Sequence, residues 1–174
     1  MLKKVVIIGP ESTGKSTLAQ QLAAYFQCPW VPEFAREYLD ALDRSYTFGD
    51  LLPIAKGQLD SEDQLAEQAK NILICDTDLH VIKVWSEHKY GKLDAWVDEQ
   101  VQKRVYDLYL LTAIDIPWEE DPMREHPDPA MREYFWNLYL RLIAQTGIPY
   151  EVIAGDMDVR LEKSINAIEH VLKE

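Results

Sequence analysis

The stretch that decides the fold is Gly9-Pro10-Glu11-Ser12-Thr13-Gly14-Lys15-Ser16, which lies between a short apolar run and an amphipathic segment. Residues 5–8 are all β-branched and show no alternation, as expected of a strand buried on both faces of a parallel sheet. Over residues 15–26 the apolar side chains recur at helical spacing. A Gly-x-x-x-x-Gly-Lys-Ser sequence between a buried strand and a helix predicts a phosphate-binding loop.

The chemistry of this loop depends on its backbone as well as its side chains. Glycines let the chain curl so that successive N–H groups point at an anion, and the helix N-terminus adds partial positive charge. Lys15 can span the β- and γ-phosphates of ATP, and the Ser16 hydroxyl can ligate Mg²⁺. We therefore expect ATP and Mg²⁺ as cofactors. The expected cofactor-binding residues of the loop are Gly9, Glu11, Ser12, Thr13, Gly14, Lys15, Ser16 and Thr17.

Strands and helices alternate along the rest of the chain. Apolar runs predict further strands at residues 30–31, 71–75, 106–111 and 150–153. Periodicity predicts helices at 79–89, 95–105 and 159–172, a helix that carries Phe34 and Leu42, and helical structure over 48–69 with a capped start at Asp60-Ser61-Glu62-Asp63. This alternation predicts a P-loop NTPase fold, a three-layer α/β/α arrangement with a five-stranded parallel sheet, and one domain spanning residues 1–174.

One long segment, residues 112–129, lacks strong periodicity and is rich in Pro, Asp, Glu and Arg. Loops of this length in compact domains are usually functional or disordered. We expect a short lid at about residues 117–132, in which Arg124, with Arg132 at the following helix, closes on the triphosphate. Such arginines stabilise charge on a transferring phosphoryl group. The alternative is a solvated, salt-bridged loop.

Two acidic residues follow the third expected strand. Ligands of open parallel sheets bind beyond the carboxyl ends of the strands, so Asp76 is expected to face the same crevice as Lys15. There it can hold a Mg²⁺-bound water or accept the proton of an attacking hydroxyl. Asp78 precedes a helix and fits the role of a helix cap about as well as a functional role.

A third candidate pair follows the second strand, across the crevice from the phosphate loop. Glu33 can accept hydrogen bonds from vicinal sugar hydroxyls, and Arg36 can steer or stack on a ligand. The alternative is an exposed helix turn in which Glu33 complements the helix dipole.

Composition and charge exclude several classes of partner. A net charge of −12 over 174 residues argues against non-specific nucleic-acid binding and against an anionic membrane surface. No stretch is long enough to cross a bilayer, and the N-terminal apolar run is too short for a secretory signal. Cys28 and Cys75 have no metal-ligand spacing and are expected to be structural. We expect a cytoplasmic protein that acts on a small molecule; the sequence does not predict its oligomeric state.

The nucleotide is not expected to be GTP. Guanine-specific GTPases carry an Asn/Thr-Lys-x-Asp sequence after the equivalent strand. Here that position reads Thr112-Ala113-Ile114-Asp115, which has no lysine to stack on the base.

Taken together, these motifs resemble the kinase domain of NadR-type nicotinamide riboside kinases, from the phosphate loop through the closing helix. Besides that loop, the resemblance is carried by Val31-Pro32-Glu33-Phe34-Ala35-Arg36-Glu37-Tyr38, Cys75-Asp76-Thr77-Asp78, Val84-Trp85-Ser86-Glu87-His88, Ile116-Pro117-Trp118 with Asp121 and Arg124, and Arg160.

The resemblance implies phosphorylation of the 5′-hydroxyl of nicotinamide riboside by ATP, giving nicotinamide mononucleotide and ADP in NAD salvage. The implied catalytic residues are Lys15, Asp76 and Arg124, with Ser16 and Asp76 at the metal and Arg160 at the cofactor. The expected substrate residues are Glu33, Arg36, Asp78, Trp85, Tyr90, Trp118 and Asp121. Larger family members add a nucleotidylyltransferase domain and some a DNA-binding segment, and we expect this chain to carry neither.

Aromatic side chains are candidates for holding the nicotinamide ring, because an aromatic face suits a flat cation. Of the five tryptophans, Trp85, Trp118 and Trp30 are expected near the crevice, with Tyr90 as a further candidate, and Trp136 is expected in the core. Residues 155–160 follow the fifth strand and are the expected neighbours of adenine. Two alternatives stay open: a kinase for another nucleoside or coenzyme precursor, and a regulatory ATPase.

Overall fold

The computed structural model describes residues 1–173 and contains a five-stranded, wholly parallel sheet in the order β2-β3-β1-β4-β5. The strands are β1 (Lys3–Ile8), β2 (Trp30–Val31), β3 (Ile72–Asp76), β4 (Leu108–Thr112) and β5 (Tyr150–Ile153). The helices are α1 (Lys15–Phe26), α2 (Phe34–Asp40), α3 (Phe48–Gln68), α4 (Leu79–Tyr90), α5 (Ala95–Lys103), α6 (Pro129–Gln145) and α7 (Met157–Lys173). The predicted α/β fold with a five-stranded parallel sheet is confirmed.

The sheet is covered on both faces, which explains why its central strand has no polar alternation. Val5 and Ile7 of β1 belong to a core cluster with α1 and α7. Val6 and Ile8 belong to a second cluster on the opposite face, with α4 and α6. All four side chains are fully buried. Because successive residues of a strand point to opposite faces, a run of β-branched residues fills both layers at once.

The long helix α3 corrects one prediction. It begins at a capping box formed by Thr47 and Asp50 and runs through residues 60–63 without interruption. Glu62 is 1% exposed and accepts hydrogen bonds from Lys4 Nζ (2.8 Å) and Tyr106 Oη (2.9 Å). The expected helix start at residues 60–63 is therefore wrong, because this acidic residue anchors the middle of a helix to the sheet.

Several other boundaries differ from the predictions by a few residues. Helix α2 ends at Asp40, so Leu42 lies outside it, α5 ends at Lys103, and β4 begins at Leu108. Residues 129–132 of the expected lid form the first turn of α6, where Pro129 follows the N-cap Asp128. The irregular part of the lid is therefore residues 117–128.

The strand order brings the ends of three strands together. Ile7 of β1 is in register with Asp76 of β3, and Ile8 is in register with Leu111 of β4. The loop after β1 thus emerges beside the carboxyl ends of both neighbouring strands, which is where open parallel sheets bind ligands. Among residues 1–173, no helix is both long and apolar enough to cross a membrane.

Candidate active site

A cavity of about 1130 Å³ lies at this edge of the sheet. One end is lined by residues 9–17, the loop after β1 and the first turn of α1. The other end is lined by α2, the loop between α2 and α3, α4, α6 and the lid. A single concave space therefore joins the phosphate loop to the segment that follows β2, as ligand sites in such sheets require.

The loop needs glycine at two positions. Gly9 has φ 152°, and a Cβ there would lie 2.3 Å from Thr112 Oγ1 on β4. Gly14 has φ 77° and is the N-cap of α1. Residues with side chains rarely adopt these conformations, so the glycines of the motif are explained by backbone geometry and by the approach of β4. The Thr13 hydroxyl is also used within this packing, since it donates to the carbonyl of Pro10 (2.8 Å).

Two arginines support the loop from behind. Arg160 is 1% exposed and donates through Nη1 to the carbonyl of Thr13 (2.9 Å) and through Nε to that of Gly155 (2.7 Å). Arg132 donates through Nη2 to the carbonyl of Ser12 (3.1 Å). Arg160 does not line the cavity. Its guanidinium also donates to the Ala113 carbonyl and to the Asp115 carboxylate, and its expected place at the cofactor stays a prediction.

Lys15, Ser16 and Asp76 lie together as the sequence predicts. Lys15 Nζ donates to the carbonyl of Pro10 (2.8 Å), and Ser16 Oγ donates to Asp76 Oδ2 (2.5 Å). Asp76 is 1% exposed, and its Oδ1 is buried without a hydrogen-bond partner among the described residues. Burial, reinforced by the nearby Glu33 carboxylate, raises the pKa of Asp76 to about 6 against the opposing effect of Lys15.

The unpaired carboxylate oxygen is an observation that bears on Mg²⁺. A buried acceptor that lacks a partner, next to a serine hydroxyl, fits a site that supplies one or two ligands to the cation. Within residues 1–173 there is no cluster of three or more His, Cys, Asp or Glu side chains arranged to hold a metal. A serine hydroxyl beside one buried carboxylate is a donor set expected where Mg²⁺ keeps several waters and binds phosphate oxygens.

At the end of the cavity away from the phosphate loop, Glu33 and Arg36 line the wall at the start of α2. Their turn is fixed by Gln58 of α3, whose side chain accepts from the N–H of Phe34 (2.8 Å) and donates to the carbonyl of Pro32 (3.3 Å). Gln58 is 4% exposed and was missed by the sequence analysis. A polar residue on the apolar face of a helix was the signal that could have identified it.

Asp78 serves as a helix cap. Its carboxylate accepts from the N–H of His80 (3.0 Å) and from Tyr109 Oη (2.8 Å), and its side chain is buried. It does not line the cavity. Asp78 is therefore the N-cap of α4, as the alternative interpretation has it, and its expected contact with the substrate stays a prediction.

Trp85 is the one predicted aromatic residue that lines the cavity. Its indole Nε1 donates to Tyr46 Oη (2.9 Å), and the two ring centroids lie 4.7 Å apart. Burial raises the pKa of Tyr46 to about 12, so its hydroxyl keeps its proton at neutral pH.

Two other aromatic residues expected at the substrate, Tyr90 and Trp118, pack against other side chains, and their expected contacts stay predictions. The Tyr90 ring packs edge-on against Phe48, with centroids 5.7 Å apart. The Trp118 ring lies near two guanidinium groups, with its centroid 6.0 Å from Arg124 Cζ and 5.8 Å from Arg132 Cζ. Neither Tyr90 nor Trp118 lines the cavity.

Trp30 and Trp136 both pack against core clusters. Trp30 packs against the core cluster on the α1 and α7 face of the sheet and not at the cavity. Trp136 packs against the other core cluster, as predicted.

The lid contacts the phosphate loop directly. Ser12 Oγ accepts from the N–H of Glu119 (2.9 Å) and from Arg124 Nη1 (3.3 Å). Asp121 does not line the cavity but accepts from Arg36 Nη1 (3.0 Å), which ties the lid to α2. Glu11, expected at the nucleotide, lines the cavity, but its carboxylate accepts backbone N–H groups of the lid.

Residues 4–160 match the AAA domain family of proteins. The chain belongs to this family. The matched residues run from β1 through the start of α7 and include the phosphate loop and residues of every strand of the sheet.

This AAA domain is similar to the trifunctional NAD biosynthesis/regulator protein NadR of Salmonella typhimurium and of Escherichia coli. Identity is 25% to each, over 99% of this chain. The chain spans 43% of the length of these curated relatives. The resemblance to NadR inferred from the motifs is confirmed.

Solved structures place the AAA domain among P-loop kinase folds. A NadR protein in complex with NAD and AMP-PNP matches with a TM-score of 0.79 at 23% identity, covering 99% of this chain and 50% of that chain. A NadR protein in complex with NR matches equally well, with 52% of that chain covered. Thymidylate kinase from Ehrlichia chaffeensis matches with a TM-score of 0.62 at 16% identity, covering 96% of this chain and 98% of that chain.

Proposed function

We propose that this protein phosphorylates the 5′-hydroxyl of nicotinamide riboside with ATP, giving nicotinamide mononucleotide and ADP. The observation that carries the proposal is the single cavity that joins the phosphate loop to Glu33 and Arg36. Similarity to NadR over nearly the whole chain supports the choice of acceptor, because NadR is named for NAD biosynthesis and a solved NadR structure holds NR.

At the phosphate end, Lys15 and the loop N–H groups hold the triphosphate. Ser16 Oγ and the unpaired Asp76 Oδ1 are suited to hold Mg²⁺, directly or through a bound water. When bound, this ion neutralises charge on the β- and γ-phosphates. The protein therefore contributes mainly positioning and charge, which is what phosphoryl transfer demands.

At the acceptor end, Glu33 accepts hydrogen bonds from the vicinal ribose hydroxyls and Arg36 orients the riboside. The 5′-hydroxyl oxygen attacks the γ-phosphorus, the bond to the bridging oxygen of ADP breaks, and the hydroxyl proton is released. Asp76 is ionised at neutral pH because its raised pKa is still about 6, so it is able to take that proton or to hold the metal.

The nicotinamide ring carries a positive charge, so the side chains that line the acceptor end can select it by charge and by aromatic contact. Trp85 offers an aromatic face and Glu33 a carboxylate within the same cavity. Both favour a flat cation over a neutral base.

The lid supplies Arg124 on the phosphate side. Arg124 lines the cavity and bonds to Ser12 of the loop, so it lies where charge develops during transfer. A lid over the cavity also excludes water, which protects ATP from hydrolysis when the acceptor is absent.

The proposal is tested by measuring ADP release with ATP and Mg²⁺, with and without nicotinamide riboside. We expect strong stimulation by the riboside, and a loss of at least about 10³-fold in turnover for Lys15→Ala, which removes the phosphate-binding ammonium. The matched control is Lys70→Ala, an exposed lysine after the end of α3 that should leave turnover unchanged.

Each competing function gives a different result in this assay. A kinase for another nucleoside is stimulated by that nucleoside and not by nicotinamide riboside. A regulatory ATPase releases ADP slowly whichever riboside is present. Either pattern would remove nicotinamide riboside as the acceptor, and undiminished turnover in Lys15→Ala would remove the phosphate-loop assignment.

A further inference from the structure

One lid residue, Glu125, contacts both ends of the cavity. Its backbone N–H donates to the carboxylate of Glu11, at 3.0 Å from Oε2 and 3.2 Å from Oε1. Its side-chain Oε1 accepts from Tyr46 Oη (2.7 Å) and from Lys89 Nζ (2.8 Å). A single residue thus links the phosphate loop to two segments of the acceptor end.

On the phosphate side, the attachment of the lid is made by loop side chains and lid backbone. Glu11 accepts a further hydrogen bond from the N–H of His126 (3.1 Å), and Ser12 Oγ accepts from the N–H of Glu119 (2.9 Å). Two consecutive residues of the phosphate loop therefore hold the lid at both of its ends.

On the acceptor side, the partners of Glu125 form part of the cavity wall. Tyr46 lies in the loop between α2 and α3, and Lys89 lies in the last turn of α4. Lys89 Nζ also donates to Tyr46 Oη and lies 4.0 Å from the centre of its ring. Trp85 Nε1 donates to the same hydroxyl, so the orientation of Trp85 depends on where Tyr46 is held.

Glu125 and Lys89 are both charged at neutral pH. Burial alone would raise the pKa of Glu125, but hydrogen bonds from Lys89 and Tyr46 lower it overall. Burial alone would lower the pKa of Lys89, but its bonds to Glu125 and Tyr46 raise it overall. The contact is therefore an ion pair supported by a tyrosine hydroxyl.

We propose that Glu125 is a positioning residue that couples nucleotide binding to acceptor binding, an inference that rests on the proposed two-substrate kinase function. A nucleotide that fixes the phosphate loop fixes Glu11, and through Glu125 it fixes Tyr46 and Trp85 at the acceptor end. Coupling between two sites is reciprocal, so the acceptor strengthens nucleotide binding by the same factor.

The expected size of the coupling follows from the exposure of the ion pair. The Lys89 and Glu125 side chains are each 37% exposed, and pairs of this kind contribute modestly because water screens them. We expect each ligand to tighten the binding of the other by about twofold to fivefold, at or below the low end of allosteric coupling.

The test compares Glu125→Ala with Glu120→Ala, a neighbouring exposed glutamate of the same lid. Calorimetry gives the Kd of AMP-PNP·Mg²⁺ with and without saturating nicotinamide riboside, and the Kd of the riboside with and without AMP-PNP·Mg²⁺. For each ligand, the coupling is the ratio of its Kd without the other ligand to its Kd with it. We expect this ratio to fall to about 1 in Glu125→Ala for both ligands and to keep the wild-type value in Glu120→Ala. A residue with only a structural role would weaken both ligands without changing the ratio.

Tyr46→Phe provides an independent check, because it removes only the hydroxyl between Glu125 and Trp85. If Glu125 acts through Tyr46, the double variant should show no further loss of coupling beyond either single variant. Additive losses, or an unchanged ratio in Glu125→Ala, would overturn the proposal.

A failure of the proposed function is recognised separately. If nicotinamide riboside does not bind, the acceptor assignment has failed, and the link is tested with AMP-PNP·Mg²⁺ alone by hydrogen exchange of the backbone amides of residues 119–126. The inference predicts that the nucleotide protects these amides in the wild type and in Glu120→Ala, and that its effect on residues 41–47 is lost in Glu125→Ala. Equal protection of residues 41–47 in all three proteins would overturn it.

Discussion

The two ends of the cavity are built from different kinds of structure. The phosphate end consists of consecutive residues whose backbone is held by buried groups, with Arg160 behind the loop and Thr112 against Gly9. The acceptor end is assembled from side chains of α2, the following loop, α4 and the lid, and much of it is partly exposed. A rigid site made of backbone suits any nucleoside triphosphate, whereas a site made of separate side chains is where one acceptor is selected.

Asp76 accepts a hydrogen bond from Ser16 of the phosphate end and is close enough to Glu33 of the acceptor end to affect its pKa, so its substitution should have the largest effect on activity. Asp76→Asn removes the charge that holds the metal or takes the proton, so we expect turnover to fall by about 10²-fold or more, measured with ATP, Mg²⁺ and nicotinamide riboside. Asp60→Asn, at an exposed position of α3, is the matched control and should retain turnover.

Asp76→Asn should also stabilise the ligand-free protein. The substitution is therefore expected to lower turnover and to raise the free energy of unfolding. The folded-state pKa of Asp76 is about 6 against 3.8 for a free side chain, so the folded protein binds this proton more tightly than the unfolded chain. Ionisation of Asp76 therefore lowers the free energy of unfolding. The loss is close to zero below about pH 4 and reaches about 3 kcal/mol above about pH 6. Urea unfolding should find Asp76→Asn more stable than the wild type at pH 7 and equal to it at pH 4. Lower stability at pH 7 would contradict a carboxylate held for function.

The next largest effect should come from disturbing the backbone of the phosphate end. In Gly9→Ala the new Cβ meets Thr112 Oγ1 at 2.3 Å in a backbone conformation that alanine disfavours. We expect a loss of about 2–4 kcal/mol in the free energy of unfolding and at least about tenfold weaker AMP-PNP binding.

Gly147→Ala separates the two causes of that effect. Gly147 also has a positive φ, of 73°, but a Cβ there would meet nothing within 4 Å. This control should lose about 1 kcal/mol from its backbone conformation and bind the nucleotide normally. If Gly9→Ala behaved like Gly147→Ala, the phosphate end would not be the tightly packed structure described above.

The smallest effect on activity should come from substituting Asp78, which does not line the cavity. Asp78→Ala removes the cap of α4 and leaves the Tyr109 hydroxyl without its acceptor, so we expect a loss of about 1–3 kcal/mol in the free energy of unfolding. The KM for nicotinamide riboside should change by less than about twofold, since Asp78 does not line the cavity. A tenfold rise in that KM without loss of stability would return Asp78 to the substrate site.

The sequence was sufficient for the parts of the molecule whose function depends on neighbouring residues. The phosphate loop is eight consecutive residues, and the position of Asp76 follows from the register of two parallel strands. The strand alternation also predicted the sheet, because residues buried on both faces leave an uninterrupted apolar pattern.

The same reasoning failed where side chains meet only after folding. Tyr46, Lys89 and Glu125 come from three distant segments and carry no motif, so nothing in the sequence predicted their contact. Trp118 and Tyr90 are aromatic residues near the right segments, but whether a ring is free depends on what packs on it. Acceptor-end geometry is therefore the part of the site that required the structure.

The most direct test of the proposed kinase activity is a competition among acceptors. The protein is incubated with ATP, Mg²⁺ and an equimolar mixture of nicotinamide riboside, adenosine, deoxyadenosine and thymidine, and the phosphorylated products are identified by mass spectrometry. We expect nicotinamide mononucleotide to be the dominant product and the phosphorylated products together to equal the ADP released. A different dominant monophosphate, or ADP without any phosphorylated acceptor, would contradict the proposal.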